Sequence, residues 1–449
     1  MSFNAVVICV AVVMYIFSSA YVNKRNIFCV AAAALLILLS VIFPDRIFML
    51  PEDVKALDSR APVRLFPLVH LFSDLISWNF ILFYVGSSLV GLMFCLSRLP
   101  EKIACALINR TRHLTMVVPA LMVFTGILSA FAGCGAAVTV MVPLAINLCT
   151  SLGLNPALLV SAVVMASNLE FALCLTAGEG AMAFGDFALM DFGDFFVHGG
   201  RLSVFACGLF GLVAASTVHS FFFRKHKDRM AQMEKSNRVR IFPCAVFAVF
   251  VAGLAVLSCF RMRFVPSYGI FACLCALVGI LGCAVKFRED LKQLFHAFDW
   301  RTLVQIPGVL VVTAALRETG VLYALAEFLS GLGGTSVLLN FILVLASSLV
   351  FCTVMDGLCF MVPFLCVASV LAEKCGCNPF LFTSAVALGA GLGSSVFPWS
   401  SKNSIAACRI LKEHETPSSL GQWAKTGIIF AVTGAVVSGA VLWMALGGR

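Results

Sequence analysis

Charged residues are scarce in this sequence of 449 residues, where Asp, Glu, Lys and Arg together make up 12%. Soluble domains carry roughly 25% charged and about 45–50% apolar residues, whereas 61% of this chain is hydrophobic and its mean hydropathy is +1.02. The alternation of apolar and polar residues found in barrel strands is also missing. The apolar runs are instead long enough for helices that cross a hydrocarbon core of about 30 Å. The composition therefore predicts an all-α polytopic membrane protein.

Several patterns that mark other classes of protein are absent from the sequence. The chain has no P-loop, so direct use of ATP would need a separate subunit. Its 19 cysteines are scattered through apolar segments without the paired C-x-x-C spacing of a metal site, which favours small apolar fillers of the interior. The seven histidines lie mostly near span ends or in loops and form no catalytic grouping. We therefore predict that the protein is not an enzyme and has no bound cofactor.

The positive charges are concentrated in short segments between apolar runs. The largest cluster begins at Arg224-Lys-His-Lys-Asp-Arg229 and continues to Arg240, and smaller ones lie at 24–25, 98–112 and 286–301. Nucleic-acid binding is one interpretation of such a cluster, but cytoplasmic loops that follow the positive-inside rule account for all four segments. We predict a multi-pass protein of the cell membrane with its basic loops in the cytoplasm, surrounded by lipid and without a nucleic-acid partner.

Two stretches of the chain match each other in sequence and spacing. The matching pairs are Met141-Val-Pro143 with Met361-Val-Pro363, Asn155-Pro156 with Asn378-Pro379, and Ser161-Ala-Val163 with Ser384-Ala-Val386. The first pair is 220 positions apart and the other two are 223 positions apart, so three anchors follow in one order. Matched interruptions in two halves of a membrane protein indicate an internal repeat with a transport site at the repeat interface.

The repeat defines the predicted domain organisation. Residues 1–222 form the first half, with a re-entrant hairpin at about 114–152 and a broken helix at about 157–190. Residues 223–240 are the basic cytoplasmic linker. Residues 241–449 form the second half, with a hairpin at about 336–375 and a broken helix at about 380–410. Because a re-entrant hairpin does not cross the membrane, each half has an odd number of crossings, which inverts the second half relative to the first.

Polar residues inside the interrupted segments are the candidate binding site. Ionisable residues at membrane depth are costly and mark functional sites, and here they are Glu170, Glu179, Asp356 and Lys402. A structural role, or a place at the wetter end of a loop, is the alternative for each. At a break, half-helix N-termini favour an anion, whereas exposed carbonyls favour Na⁺ or acids linked to H⁺. The further candidates are Ser129, Cys134, Ser167, Asn168, Thr176, Thr353, Ser394, Ser395, Ser400 and Asn403.

The interrupted segments resemble the ion transporter superfamily, which holds the arsenite permeases, related Na⁺/H⁺ antiporters, and citrate and dicarboxylate transporters. The similar segments are Ile127–Phe131 with Met141–Leu144 for the first hairpin, Leu154–Pro156 with Ala166–Leu169 for the first broken helix, and Gly389–Gly393 for the second. The resemblance implies the fold. It carries over only Ser129, Ser167 and Asn168 as site residues, and it leaves a homodimer open because homodimers are common in that family.

The chain departs from the family pattern at several functional positions. Gly133-Cys134 and Thr353-Val354 stand at the two hairpin tips, where the family commonly has Asp-Asn at the first. Glu170-Phe171 likewise replaces two glycines after the first Ser-Asn pair. Since sites rather than folds determine the substrate, the resemblance alone does not transfer one.

Together these patterns predict a secondary active transporter that moves a small ion by alternating access, with Na⁺ or H⁺ as the coupling ion. A carboxylate-type anion is favoured because half-helix N-termini suit it and Lys402 can supply a counter-charge. The alternatives are a Na⁺/H⁺ antiporter that exchanges cations at Glu170, Glu179 or Asp356, and an arsenite-type permease. A channel, which would conduct without coupling, is a further class.

Overall fold

The computed structural model describes residues 3–43, 47–48, 66–111, 113–169, 173–226, 233, 239–260, 268–286 and 288–447. Over this part of the chain the protein is almost entirely helical. Within it, eleven helices are long and apolar enough to cross a membrane, and a bent pair within 291–333 brings the number to twelve if it forms one span. The all-α polytopic architecture predicted from the composition is therefore confirmed.

The first half holds ten α-helices within the described ranges. They are α1 (Phe3–Ala20), α2 (Arg25–Ile42), α3 (Phe66–His70), α4 (Trp78–Leu96), α5 (Leu99–Thr111), α6 (Leu114–Ala132), α7 (Cys134–Ser151), α8 (Ala157–Ser167), α9 (Glu179–Phe187) and α10 (Val204–His219). A small antiparallel β-hairpin of β1 (Val197–His198) and β2 (Arg201–Leu202) lies between α9 and α10, with Val197 opposite Leu202.

The second half holds another ten α-helices in the part that is described. They are α11 (Ile241–Phe260), α12 (Tyr268–Lys286), α13 (Arg288–Ala297), α14 (Trp300–Glu318), α15 (Val321–Gly333), α16 (Val337–Val354), α17 (Gly357–Lys374), α18 (Pro379–Gly393), α19 (Lys402–Glu413) and α20 (Leu420–Leu446). The sequence analysis did not assign α15. It follows a bend of 70° after α14, at Gly320, whose φ of +74° suits a residue without a side chain.

Two helical hairpins occupy corresponding places in the two halves. We call α6 with α7 the first hairpin and α16 with α17 the second. Gly133 joins α6 to α7 with φ +89°, a conformation that residues with a side chain rarely adopt. At the second tip Asp356 caps α17, because its Oδ1 accepts a hydrogen bond of 3.1 Å from the N–H of Leu358. Each arm is long enough to cross the membrane, so the re-entrant character stays a prediction.

A pair of short helices follows each hairpin. We call α8 with α9, separated by residues 168–178, the first broken helix, and α18 with α19, separated by residues 394–401, the second. The repeated Asn-Pro pairs explain where α8 and α18 start. Asn155 Oδ1 and Asn378 Oδ1 each accept a hydrogen bond of 2.9 Å from the backbone N–H two positions further on. Such a side chain satisfies a donor at the helix start, and proline fits the first helical turn.

Glycines allow close packing between helices of the two halves. α4 packs against α12, where a Cβ on Gly86 would lie 2.3 Å from the backbone of Ala272. α2 packs against α14 in the same manner, with a Cβ on Gly308 at 2.8 Å from the backbone of Cys29. Small residues let membrane helices approach closely. Gly86 and Gly308 are 222 positions apart, which agrees with the offset of the repeated motifs. The duplication itself stays a prediction.

The outer faces of several helices carry apolar side chains that no other part of the described chain covers. Val249 on α11, Leu277 on α12 and Phe351 on α16 are each more than half exposed. In water such faces would be costly, but in a bilayer they contact lipid tails that are equally apolar. The polar side chains described below are buried or half-buried instead, which places the candidate site in the interior of the bundle.

Candidate functional site

A cavity of about 640 Å³ lies where interrupted elements of the two halves meet. Its wall includes the tip of the first hairpin at Gly133, the break of the first broken helix at Gly178, Asp356 at the tip of the second hairpin, and the start of α19. The starts of α2 and α14 and part of α4 complete the wall. We call it the inner cavity, because the starts of α2 and α14 belong to basic segments predicted to be cytoplasmic.

Besides α2 and α14, four helices of the interrupted segments begin at the inner cavity. α7 starts at Cys134, α9 at Glu179, α17 directly after Asp356 and α19 at Lys402, and all four residues line the cavity. The N–H groups at a helix N-terminus together carry roughly half an elementary positive charge. At α7 the space in front of this end is open, because a Cβ added to Gly135 would meet nothing within 4 Å. Converging helix N-termini favour a bound anion.

Lys402 holds two carboxylates from different elements. Its Nζ is 2.6 Å from Oε2 of Glu179, in the first turn of α9, and 3.4 Å from Oδ2 of Asp299, which precedes α14. The same Nζ lies 3.5 Å from Oγ1 of Thr302 and 5.9 Å from the centre of the Tyr84 ring. The cluster therefore joins the two broken helices. With all three groups ionised it carries one more negative than positive charge.

Arg25 forms the second ion pair of the cavity wall. Its Nη1 donates to Oδ2 of Asp356 at 2.7 Å, its Nε donates to the carbonyl of Ser18 at 3.1 Å, and its Nη2 donates to the carbonyl of Trp399. Nε2 of Gln305 lies 3.4 Å from the other oxygen of Asp356. These contacts fix the tip of the second hairpin to the start of α2, a helix of the first half.

Sequence reasoning did not identify Arg25 as a site residue. It stands beside Lys24 in a short turn, the pattern of a positive-inside loop, and the prediction used it only in that sense. In the structure Arg25 is 5% exposed, and a guanidinium so deeply buried needs a partner such as Asp356. Asp299 was also missed as a site residue, although it stands in the charged segment 286–301. No sequence signal distinguishes either of them from a loop charge.

The charges of the cavity wall nearly balance. Among the described residues that line it, the basic ones are Arg25, Arg301, Lys402 and Arg409, and the acidic ones are Glu179, Asp299 and Asp356. With His296 neutral, a small excess of positive charge remains. Each acid of the wall is fixed by Lys402 or Arg25. Asp356 caps α17 and Ser401 caps α19, whereas α7 and α9 have no side-chain cap, so their N-termini are the ones available to an incoming anion.

Asn168 connects the breaks of the two broken helices. Its Oδ1 accepts hydrogen bonds from Oγ of Ser401 at 2.8 Å and from Nδ2 of Asn403 at 3.3 Å. Its Nδ2 donates to the carbonyl of Ser394 at 3.1 Å and to Oγ of Ser404 at 3.4 Å. Asn168 and Ser404 are fully buried. One amide therefore satisfies groups that the interruption of the second helix leaves without helical partners.

Most of the predicted hydroxyl groups bond to backbone carbonyls. The bonds across elements are Ser129 to the carbonyl of Ser167 (3.0 Å), Thr176 to that of Ala130 (2.7 Å) and Ser395 to that of Met165 (3.3 Å). The local ones are Ser167 to Val164 (2.8 Å), Thr353 to Val350 (2.8 Å), Ser394 to Gly391 (2.8 Å) and Ser400 to Ser394 (2.8 Å). In this state these hydroxyls support the breaks.

The predicted site residues thus separate into two groups. Those that line the inner cavity are Cys134, Thr176, Glu179, Asp356, Lys402 and Asn403. Outside this lining, Asn168 and the serines are buried and Thr353 is half-buried on α16, while Glu170 lies outside the described residues. The N–H of Cys134 donates to the carbonyl of Ala177 at 2.8 Å, which ties the first hairpin tip to the first break. Across the described ranges, no group of three or more His, Cys, Asp or Glu could hold a metal ion. The binding roles stay predictions.

The citrate transporter family CitMHS matches residues 12–387, which contain both hairpins and the first broken helix. The chain belongs to the CitMHS citrate transporter family. This membership confirms the predicted resemblance to the ion transporter superfamily and shows that the chain is a transporter of the membrane rather than an enzyme. With at least eleven apolar helices in the described part, it is a multi-pass protein of the plasma membrane.

Relatives of this CitMHS member carry names that state no substrate. An uncharacterized transporter of Mycobacterium tuberculosis, Rv2685, is 24% identical over 385 residues, which cover 82% of this chain and 86% of that protein. A 46 kDa membrane protein of Mycobacterium leprae is 23% identical over 324 residues, covering 68% of this chain and 72% of that one. These relatives agree with the transporter class.

Two solved transporters are similar in fold. The YdaH transporter of Alcanivorax borkumensis aligns with a TM-score of 0.55 over 93% of this chain and 98% of its own, at 14% sequence identity. MtrF of Neisseria gonorrhoeae, which is described as an antimetabolite efflux pump, aligns with a TM-score of 0.53 over 94% of this chain and 95% of its own, also at 14% identity. At such low identity the likeness establishes the fold alone.

Proposed function

We propose that this CitMHS member is a secondary active transporter that moves a small carboxylate-type anion through the inner cavity, by alternating access and coupled to Na⁺ or H⁺. One observation carries the proposal: the N-termini of four helices of the interrupted segments and two basic residues, the buried Arg25 and the half-buried Lys402, surround a single cavity between the halves. Small-molecule sites occupy roughly 300–1,000 Å³, and the inner cavity, at about 640 Å³, has room for a di- or tricarboxylate with some of its water.

The ion pairs of the wall supply a physical reason for coupling. A substrate carboxylate that binds Lys402 competes with Glu179 and Asp299, which already occupy its ammonium group. If Glu179, whose side chain is 8% exposed, is released from Lys402, it becomes an unpaired buried charge, which costs several kcal/mol. A proton or Na⁺ that binds the released acid removes that cost. Anion and cation therefore bind together, and neither is carried alone.

The pair of Arg25 with Asp356 supplies a reason for movement. It fastens the second hairpin to α2 across the boundary between the halves, and Asp356 also caps α17. A second carboxylate group of the substrate competes with Asp356 for the guanidinium, whose planar fork matches a carboxylate. Binding thus loosens the contact between the hairpin tip and α2, and the released tip is free to move toward the outward-facing state.

A Na⁺/H⁺ antiporter is the second candidate function. The observation in its favour is that Glu179, Asp299 and Asp356 all line the same cavity, where they could exchange cations without an anion. In that case the basic residues would serve to hold the acids in place. The two functions differ in one measurable respect, which is whether cation movement depends on a substrate anion.

Purified protein in proteoliposomes separates these functions. An inward Na⁺ gradient is applied while an entrapped pH-sensitive dye reports proton flux, without anion and then with citrate, succinate or arsenite outside. We expect labelled citrate or succinate to accumulate only when a Na⁺ or H⁺ gradient is present, with cation flux that depends on the anion. Full Na⁺-driven proton flux in the absence of any anion would overturn the proposal in favour of antiport, and arsenite uptake alone would favour the permease alternative.

A further inference from the structure

A second cavity, of about 220 Å³, lies on the other side of α9 from the inner cavity. Asn79 at the start of α4, Tyr268 at the start of α12 and Asp186 near the end of α9 belong to its wall. From these starts α4 and α12 run toward the basic segments at 98–112 and 286–301, which are predicted to be cytoplasmic. We call this second cavity the outer cavity, because it lies at the opposite ends of both helices.

One side chain belongs to the walls of both cavities, and it is that of Met182. Glu179, about one turn before it on α9, lines the inner cavity, and Asp186, about one turn after it, lines the outer cavity. Neighbouring residues of α4 also face different cavities: Phe83 lines the outer cavity and Tyr84 lines the inner cavity. A single layer of side chains therefore separates the two spaces.

The separating layer is apolar and tightly enclosed. Met182 is 2% exposed, Phe83 and Tyr84 are 3% exposed, and the sulfur of Met182 lies 4.0 Å from Oγ of Ser87. An apolar constriction opposes the passage of a hydrated ion because nothing in it replaces the ion's water. Methionine is unbranched and has three rotatable bonds, so it can leave such a layer by changing its rotamer without a movement of the backbone.

We infer that the outer cavity is the outward half of the translocation pathway and that Met182 is the barrier that prevents ions from passing uncoupled between the two cavities. This inference rests on the proposed transport function. The described residues of the outer wall include two carboxylates, Asp186 and Asp191, and no basic side chain. Tyr268 donates a hydrogen bond of 3.0 Å to Oδ1 of Asp191, which fixes one of them. The outer cavity thus attracts the coupling cation, whereas the inner cavity holds the basic residues for the anion.

Labelling from each face of the membrane tests the position of the barrier. A membrane-impermeant maleimide is applied on ice, without substrate or ion gradient, to right-side-out and inside-out vesicles, and the modified peptide is identified by mass. We expect Glu179→Cys to react only from the cytoplasmic face, Asp186→Cys only from the outer face, and Met182→Cys from both. Reaction of Met182→Cys from one face only, or from neither, would overturn the inference.

A leak measurement tests the role of Met182 as a barrier. In proteoliposomes without citrate, we expect Met182→Ala to raise Na⁺ or H⁺ flux several-fold above the wild type, and Met182→Leu to leave it unchanged because the longer side chain still fills the layer. Met122→Ala is the matched control, since Met122 is an equally buried helical methionine that lines neither cavity.

If Met182→Ala shows the same Na⁺ and H⁺ flux without citrate as the wild type, the barrier role is contradicted. If Met182→Ala does not fold, the labelling of Met182→Cys decides the question. Neither readout needs a substrate. If anion-dependent flux is absent, the proposed function fails even when labelling supports the two-cavity pathway. If anion-dependent flux is present but labelling or the leak measurement contradicts the barrier, only the inference about Met182 fails.

Discussion

At the scale of single residues, the ammonium group of Lys402 forms the ion pair that connects the two broken helices. It holds Glu179 at 2.6 Å and Asp299 at 3.4 Å, and no other described basic side chain is paired with either acid. The substitution Lys402→Ala therefore leaves two carboxylates close together without a counter-charge, which also repels an incoming anion. In the proposed function this residue therefore acts both on the substrate anion and on the two acids.

We predict that Lys402→Ala weakens citrate binding by about 10- to 100-fold, because a hydrogen bond to a charged group contributes about 1.5–3 kcal/mol and each 1.4 kcal/mol is a factor of ten. Lys402→Arg keeps the charge and should retain part of the affinity. Lys412→Ala, on an exposed face of the same helix, is the control and should bind citrate normally. Isothermal titration calorimetry measures all three, and wild-type affinity in Lys402→Ala would exclude this residue from the site.

Gly135 near the start of α7 and Gly91 of α4, which packs against the end of α6, give opposite predictions. A Cβ on Gly135 meets nothing within 4 Å, so we expect Gly135→Ala to leave the melting temperature unchanged while it weakens anion binding at the start of α7. A Cβ on Gly91 of α4 would lie 1.8 Å from the carbonyl oxygen of Ala132, so Gly91→Ala should lower the melting temperature. Thermal shift and citrate titration of both variants check this. Normal citrate binding by Gly135→Ala would place the anion elsewhere.

At the scale of elements, the two broken helices are joined by the amide of Asn168. Its four hydrogen bonds connect the break in the first half to residues 394–404 in the second. Hydrogen bonds between membrane helices contribute about 0.6 kcal/mol each on average, so Asn168→Ala should lower the free energy of unfolding by about 2 kcal/mol. Asn155→Ala removes a single helix cap and should cost about 1 kcal/mol. Equal losses in unfolding experiments in detergent would show that Asn168 has no linking role.

The contact between α2 and the second hairpin can be tested with two native thiols. Sγ of Cys29 lies 3.8 Å from Sγ of Cys359, one turn from the pair of Arg25 and Asp356. Copper phenanthroline with oxygen should take two electrons and two protons from these thiols and leave a disulfide, detected as a peptide cross-link by mass spectrometry. If the hairpin tip must leave α2 during transport, the cross-link stops citrate uptake and dithiothreitol restores it. Cys29→Ser is the control, and undiminished uptake by the cross-linked protein would show that this contact does not open.

The elements of the site could be predicted from the sequence better than their contacts. Gly133 and the repeated Asn-Pro pairs act on their own neighbours, through backbone conformation and helix caps, so local reasoning placed the hairpins and the breaks close to where helices end in the structure. Arg25 meets Asp356 across 331 positions, and no local pattern encodes such a contact. The same limit applies to the hydroxyls: the sequence shows that Ser129 can donate, but only the fold shows that it donates to Ser167.

At the scale of the whole molecule, two halves meet around the inner cavity, and the smaller outer cavity lies behind Met182. In the proposed mechanism the anion and the cation have separate approaches and one shared centre. Binding at that centre would require the ion pairs that connect the halves to rearrange, which would link local chemistry to global movement. The predicted inverted duplication provides the geometry, because it brings the N-termini of hairpin arms and of broken helices to one level of the membrane.

The most direct test of this account is a cryo-electron microscopy structure of the wild-type protein with citrate. We predict density for the anion in the inner cavity, in contact with Lys402 and with the backbone N–H groups at the start of α7 near Gly135, and with Glu179 or Asp299 displaced from the ammonium group. Citrate density that lies away from these groups, or a saturated protein in which the contacts of Lys402 with Glu179 and Asp299 are both unchanged, would contradict it.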